Sequence, residues 1–213
     1  MWRHFLDRSK ILSVKKTTLA GFVAQFPVKK LKTGQVLLNA GETPKTLYYL
    51  KDGFVKRHIN SLDGKELTVH IFTPGSLFPL LWALDGSSVD FNLTSLGSSK
   101  VALVPKEDFL KYIISNQDEL LKITKRLLRG LEGMAKRVEI LSFEKADSRV
   151  YSALLYLEGH LGSKLSFTHE GLSELTGLSR ERVSIEMKKL RTEGITSYRR
   201  GLITMKKTQG SRL

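Results

Sequence analysis

The spacing of apolar residues changes twice along this chain and divides it into three blocks. Up to about residue 30 the pattern suggests a short helical lead-in. From Leu31 to Val104, short apolar runs alternate with turn residues: Gln35–Leu38, Thr46–Leu50, Phe54–Ile59 and Leu67–Phe72. Gly34, Gly41, Gly53, Gly64, Gly75 and Gly86 punctuate them roughly every ten residues, the interval of short antiparallel strands. Asp63-Gly64 supplies the pair favoured in a tight hairpin turn. These features predict a small barrel or sandwich.

After Pro105, which a first helical turn tolerates, the period becomes helical. A long helix is expected from about Gln117 to Leu141. Leu120, Thr124, Leu127, Leu131, Met134, Val138 and Leu141 step by alternating threes and fours, a heptad seam with one polar member. One such stripe can pack against the chain's own β domain. Leu121, Ile123 and Leu128 widen the apolar surface, and a helix apolar over so much of its girth meets a second partner as well. The expectation is therefore a homodimer with the seam as its interface. Gly130 and Gly133 each cost about 1 kcal/mol in an exposed helix interior. Close helix–helix approach accounts for them, with a kink as the other explanation.

The third block begins near Ala146. A helix is predicted from Ser148 to Glu158, broken by Gly159-His160-Leu161-Gly162. The sharpest local signal follows, between Thr168 and Leu190. Thr168 caps a short helix whose inner face is Leu172 and Leu175. Gly177 allows a tight exit, and Leu178 plugs the angle. Ser179 then caps a second helix held down by Val183, Met187 and Leu190. Two helices joined by a short glycine turn form the helix-turn-helix of DNA-binding proteins. Arg180 and Arg182 can donate to guanine edges or phosphates, and Glu181 can accept from a cytosine amine. Thr168, Ser179 and Ser184 can reach phosphates, which set register, and Lys188 extends the positive surface. Gly194 to Met205 reads as a hairpin wing with Arg199 and Arg200 at its tip.

Composition supports the same reading. The chain has 213 residues, with Lys and Arg outnumbering Asp and Glu by 35 to 21, a formal charge of +14. Such a charge favours a polyanionic partner. Cysteine is absent, which excludes disulfides, zinc–thiolate sites and cysteine-held iron–sulfur clusters. No apolar run reaches the roughly 18 to 20 residues of a membrane span, and the N-terminus lacks the order of a secretory signal. No membrane partner and a cytoplasmic location are expected. The histidines lack metal-ligand spacing, and no nucleophile elbow or phosphate-binding glycine loop is present. An enzymatic role is not expected.

Lys32-Thr33-Gly34-Gln35-Val36-Leu37, Leu47 to Lys56, Phe72-Thr73-Pro74-Gly75 and Leu178 to Ser184 together resemble the Crp/Fnr family, the relatives of the cyclic-AMP receptor protein and the fumarate-nitrate reductase regulator. The resemblance covers nearly everything after about residue 20. It implies an α+β chain: a β-roll sensor of the cyclic-nucleotide-binding type over 1–116, a central dimerisation helix over 117–143 and a winged helix-turn-helix over 144–213. It also implies binding to double-stranded, two-fold operator DNA and contact with RNA polymerase.

Two departures from the family matter. Members that bind cyclic nucleotides carry a Gly-Glu-Leu segment after the Pro-Gly turn, then an Arg-Ser or Arg-Thr pair on the phosphate. This chain has Leu77 to Trp82 at the first place. At the second it has Ser87-Ser88-Val89-Asp90-Phe91, with an acid and no arginine. Met134 and Ala135 stand where hydroxyls would reach the base. Cyclic nucleotide is therefore not expected, nor is a haem or an iron–sulfur cluster. Phe78, Leu80, Trp82, Phe91 and Met134 are candidates to line an apolar pocket for some other small effector, with plain core as the competing reading. Ile185 stands where several relatives have a third base-reading arginine, which leaves the operator sequence open. Two other functions compete: a small-molecule sensor acting through protein contacts, and an enzyme built on the roll.

Overall fold

The computed structural model describes residues 18–199 and 202–206. In chain order the elements are α1 (Leu19–Val23), β1 (Val28–Leu31), β2 (Val36–Leu38), β3 (Leu47–Asp52), β4 (Val55–Asn60), β5 (Glu66–Phe72) and β6 (Leu77–Phe78). There follow α2 (Leu80–Asp85), β7 (Asn92–Ser95), β8 (Ser99–Val104), α3 (Lys106–Ser115), α4 (Gln117–Phe143) and α5 (Ala146–Leu161). The chain continues through β9 (Lys164–Ser166), α6 (His169–Thr176), α7 (Arg180–Thr192), β10 (Thr196–Arg199) and β11 (Leu202–Met205).

Eight strands form the roll as two antiparallel sheets, ordered β1-β8-β3-β6 and β2-β7-β4-β5. Leu31, Leu37, Leu50, Val55, Leu93 and Val101 fill the space between them. The β3–β4 turn needs glycine. Gly53 has φ +82°, and a Cβ there would lie well inside contact distance of Ser99 Oγ and the Ser98 carbonyl. A second cluster, with Val23, Leu47, Trp82, Phe109 and Ile113, packs α1, α2 and α3 on one end of the roll.

The structure corrects several expectations. The helical lead-in stops at Val23, and β1 begins three residues before the predicted β block. The stretch from Leu80 to Asp85 is a helix ended by Gly86 at φ +78°. The Ser148–Glu158 helix runs on to Leu161, so it is Gly162, at φ +82°, that breaks it. Nor do the five candidate pocket residues surround one void. Phe78 and Phe91 pack inside the roll, Trp82 and Leu80 pack at its helical end, and Met134 faces a separate cavity beside α5. The reason is that the chain leaves strand β6 after Phe78 and turns into α2, whose Leu80, Trp82 and Ala83 all pack in the cluster at the helical end.

The helix α4 contains no buried residue. Leu120, Leu121, Leu127, Leu128, Leu131, Met134 and Val138 are all exposed on it. Leu141 is half-buried and turns toward α5. A Cβ at Gly130 or Gly133 would meet nothing within 4 Å, so among the described residues no other helix comes close to either glycine.

Candidate nucleic-acid interface

The winged domain has its own core of Val150, Leu154, Leu157, Leu165, Leu172, Val183 and Ile203, which Ile71 of the roll joins. This core fixes the pose of α7. Val183, Glu186, Met187 and Leu190 face inward along it, which leaves Arg180, Glu181, Ile185 and Lys188 outside. Thr168 Oγ1 accepts from Gly171 N at 3.0 Å, and Ser179 Oγ accepts from Arg182 N at 3.2 Å. Both hydroxyls thus satisfy helix N–H groups that have no partner within their own helix. Gly177 leaves α6 in the left-handed region at φ +66°.

Glu181 is exposed in the first turn of α7. Backbone and Ser179 hydrogen bonds hold its carboxyl below the usual range, with Arg180 adding to the effect. It is an ionised acceptor at the positive end of the helix. Ser184 Oγ donates to the Arg180 carbonyl at 2.9 Å and lies 2.9 Å from His169 Nδ1. The hydroxyl has one proton, given to that carbonyl, so Nδ1 carries the ring proton. Burial, then the Arg180 charge, lowers the His169 pKa and favours this neutral form. His169 also packs on Tyr198 at 5.0 Å between ring centroids. One histidine thereby ties the start of α6 to α7 and to the wing.

Glu186 is the main residue that sequence reasoning missed. It is 0 % exposed and pairs with Arg182 at 2.7 Å and Lys189 at 2.9 Å. The signal was available, since Glu186 lies three residues after Val183, on the apolar stripe. Its pairing changes the part assigned to Arg182, whose guanidinium is held along the flank of α7. Arg180 and Lys188 remain exposed, and Ile185 is a 51 % exposed apolar side chain on the outer face.

The wing pairs β10 with β11 antiparallel, and β11 with β9. Arg199 is exposed at the last pair, opposite Leu202. Arg200 lies outside the described residues.

A third group joins the winged domain to the roll. Lys56 Nζ pairs with Glu66 and, at 2.9 Å, with Glu174 of α6. Burial would lower the Lys56 pKa, but hydrogen bonds to the two carboxylates outweigh it and raise the value. Arg137 donates to the Thr68 carbonyl and, at 2.7 Å, to the Leu175 carbonyl.

These two units match two family models. Residues 28–116 match the cyclic nucleotide-binding domain, and residues 148–210 match the Crp-like helix-turn-helix domain. The chain belongs to the Crp/Fnr family of transcription regulators. It is 28 % identical over 174 residues to a cyclic AMP receptor protein of Thermus thermophilus, covering 81 % of each chain. It is 26 % identical over 188 residues to a cAMP-activated global transcriptional regulator of Pasteurella multocida, covering 84 % of this chain and 90 % of the other. Its fold matches a c-di-GMP-responsive global regulator of Xanthomonas campestris at a TM-score of 0.74 and 20 % identity, over 88 % and 97 % of the two chains. As a Crp/Fnr member it is a DNA-binding transcription regulator, and its relatives are regulators rather than enzymes. Among the described residues no helix is long and apolar enough to cross a membrane.

Within this Crp/Fnr roll, a cation of a neighbouring strand lies beside the segment Ser87–Phe91. Arg57 of β4 lies 4.0 Å over the Phe91 ring and 3.7 Å from Asp90. Its Nε is buried with no hydrogen-bond partner among the described residues. No local pattern points to it, because strand pairing is what brings β4 beside β7 and the segment before it. Phe72 stacks on Phe78 at 4.2 Å beneath.

Proposed function

We propose that this regulator works as a homodimer joined along α4 and reads a two-fold operator with the outer face of α7. The observation that carries it is α4 itself: 27 residues, none buried, with leucines along its length. A leucine-rich face of that length on a soluble helix marks an interface, and the heptad spacing suits a parallel second copy. The roll over 1–116 senses, the helix over 117–143 joins two copies, and the domain over 144–213 binds. Paired α4 helices then set the separation of the two recognition helices, which suits half-sites one DNA turn apart.

In this reading Arg180, Glu181 and Lys188 face the major groove. Arg199, with Arg200, reaches the flanking backbone. Ser179 and Thr168 act mainly through their caps, and Ser184 through Arg180. Arg182 serves phosphate only from the flank where Glu186 holds it. Cyclic nucleotide is not the effector. Arg57 is already opposed by Asp90, which would repel a phosphate, and aromatic rings occupy the roll beneath.

Sedimentation of the purified chain, paired with selection from random duplexes at moderate salt, tests this. The expected result is a dimer of about 48 kDa, from 24.0 kDa per chain, that enriches an inverted repeat and needs no cyclic AMP. Affinity should fall steeply with salt. A monomer, or a pool with no enriched sequence, would overturn the reading.

A further inference from the structure

One stripe of α7 is buried in the winged domain and the opposite stripe is presented to solvent. Val183, Met187 and Leu190 form the buried stripe at the spacing i, i+4, i+7. Glu181, Ile185 and Lys188 repeat that spacing two residues earlier, and two residues turn a helix by about 200°. They therefore stand opposite the core, with Ile185 in the middle and 51 % exposed. A branched hydrocarbon is thus the centre of a face whose outer members are charged. Its other neighbours one turn away, Arg182 and Lys189, both pair with Glu186, at 2.7 and 2.9 Å. Ser184, next to it in the chain, gives its proton to the Arg180 carbonyl at 2.9 Å. The donors on that flank of Ile185 are already engaged.

We propose that Ile185 makes α7 a reader of the C5-methyl group of a pyrimidine in the major groove, a group that thymine and 5-methylcytosine share. This role rests on the operator reading of α7. In the major groove guanine shows acceptors, cytosine a donor, adenine one of each, and thymine an acceptor beside its methyl group. An isoleucine set against any of the first three strips water from a polar edge and returns no hydrogen bond, which is destabilising. Set against the methyl group, it removes apolar surface on both sides from water. Selection at this point of the half-site is therefore made by hydrocarbon contact, while Arg180, Glu181 and Lys188 meet polar edges or phosphates around it. Cytosine carries the same methyl group only where DNA has been modified. An operator with cytosine at this point is bound according to its methylation.

The test uses the full chain and the operator enriched from random duplexes, with affinity read by fluorescence anisotropy at fixed salt. Replacing thymines one at a time by deoxyuridine deletes only the methyl group. One thymine in each half-site should lose about fourfold, the effect of one buried methyl group, with the other thymines nearly unmoved. Put in place of that thymine, 5-methylcytosine should bind more tightly than plain cytosine by about the same factor. A methylated cytosine bound as well as thymine extends the proposal to modified DNA, and one bound less well, yet above plain cytosine, limits it to thymine. Ile185→Ala should no longer distinguish thymine from uracil, while its thermal melt stays that of the parent chain because the side chain faces solvent. An operator indifferent to uracil at every thymine overturns the proposal. So does an Ile185→Ala variant that keeps the discrimination, since another residue then reads the methyl group, and so does plain cytosine bound as tightly as its methylated form. A selection that enriches no sequence fails earlier: it overturns the operator reading, and this role with it, before any uracil duplex is made.

Discussion

Two helices with apolar seams, α4 and α7, use those seams in opposite ways. On α7, Val183, Met187 and Leu190 are 0, 3 and 7 % exposed. On α4, Leu127, Leu131 and Val138 are 55, 63 and 64 % exposed. The spacing of leucine and valine is similar in both. What differs is whether the chain's own fold supplies a facing surface. α5 and α6 cover α7, while nothing among the described residues covers the outer side of α4. An amphipathic pattern therefore states that a helix has a face to bury, and only the assembled chain shows whether the partner is internal.

The contrast between α4 and α7 breaks most directly at Leu131. Leu131→Glu should leave the chain folded, because that site is solvent-facing, yet dissociate the dimer by burying unpaired charge at the seam. A loss of more than about 4 kcal/mol of association is expected, read by sedimentation across concentration. An unfolded variant, or an intact dimer, would erase the contrast with α7. Met187→Ala makes the opposite demand: about 2 to 5 kcal/mol of stability lost in denaturant unfolding, with the dimer constant of the folded protein unchanged.

Acid should act at the joint between roll and winged domain. The folded pKa of His70, about 4, lies below its ordinary value of 6.5. The unfolded chain thus binds the extra proton first. The stability is present above pH 6.5 and is lost as the pH falls toward 4, by up to about 3 kcal/mol. His70→Gln should flatten that slope in thermal melts taken across the window, and an unchanged slope would exclude His70 as its source.

Smaller effects sharpen the picture on the reading face. Arg180→Ala is expected to cost about 1 to 3 kcal/mol on the preferred duplex and much less on unrelated DNA. Equal losses on both would demote it to a phosphate contact. Thr168→Ala removes an N-cap and should lower stability by about 1 kcal/mol without changing which duplex is chosen.

Much of this was legible in the chain. Strands β2 to β5 announce themselves by apolar runs between glycines, and Thr168, Gly177 and Ser179 mark the helix ends by chemistry that acts within a few residues. β7 and β8 escaped notice because Thr94, Ser95 and Ser99 are polar yet buried. Ser95 Oγ donates to Ser99 Oγ at 2.8 Å, which satisfies groups that in sequence read as surface. α2 was missed because a six-residue apolar helix has too few turns to show a period. The supposed pocket failed for the same reason, since a helical turn in place of a strand redirects its side chains.

Sequence by itself determined the local matters: the roll's turns, the seam on α4, the capped pair α6 and α7, and the surplus of positive charge. Those features depend on residues a few positions apart, whose geometry is set by backbone sterics and nearest hydrogen bonds. Tertiary structure alone decided that Arg57 of β4 meets Asp90 in the segment before β7, and that four cations from α4 and α5 wall one cavity. Each of these joins side chains whose meeting depends on how elements pack, and packing is a property of the whole chain that no local window contains.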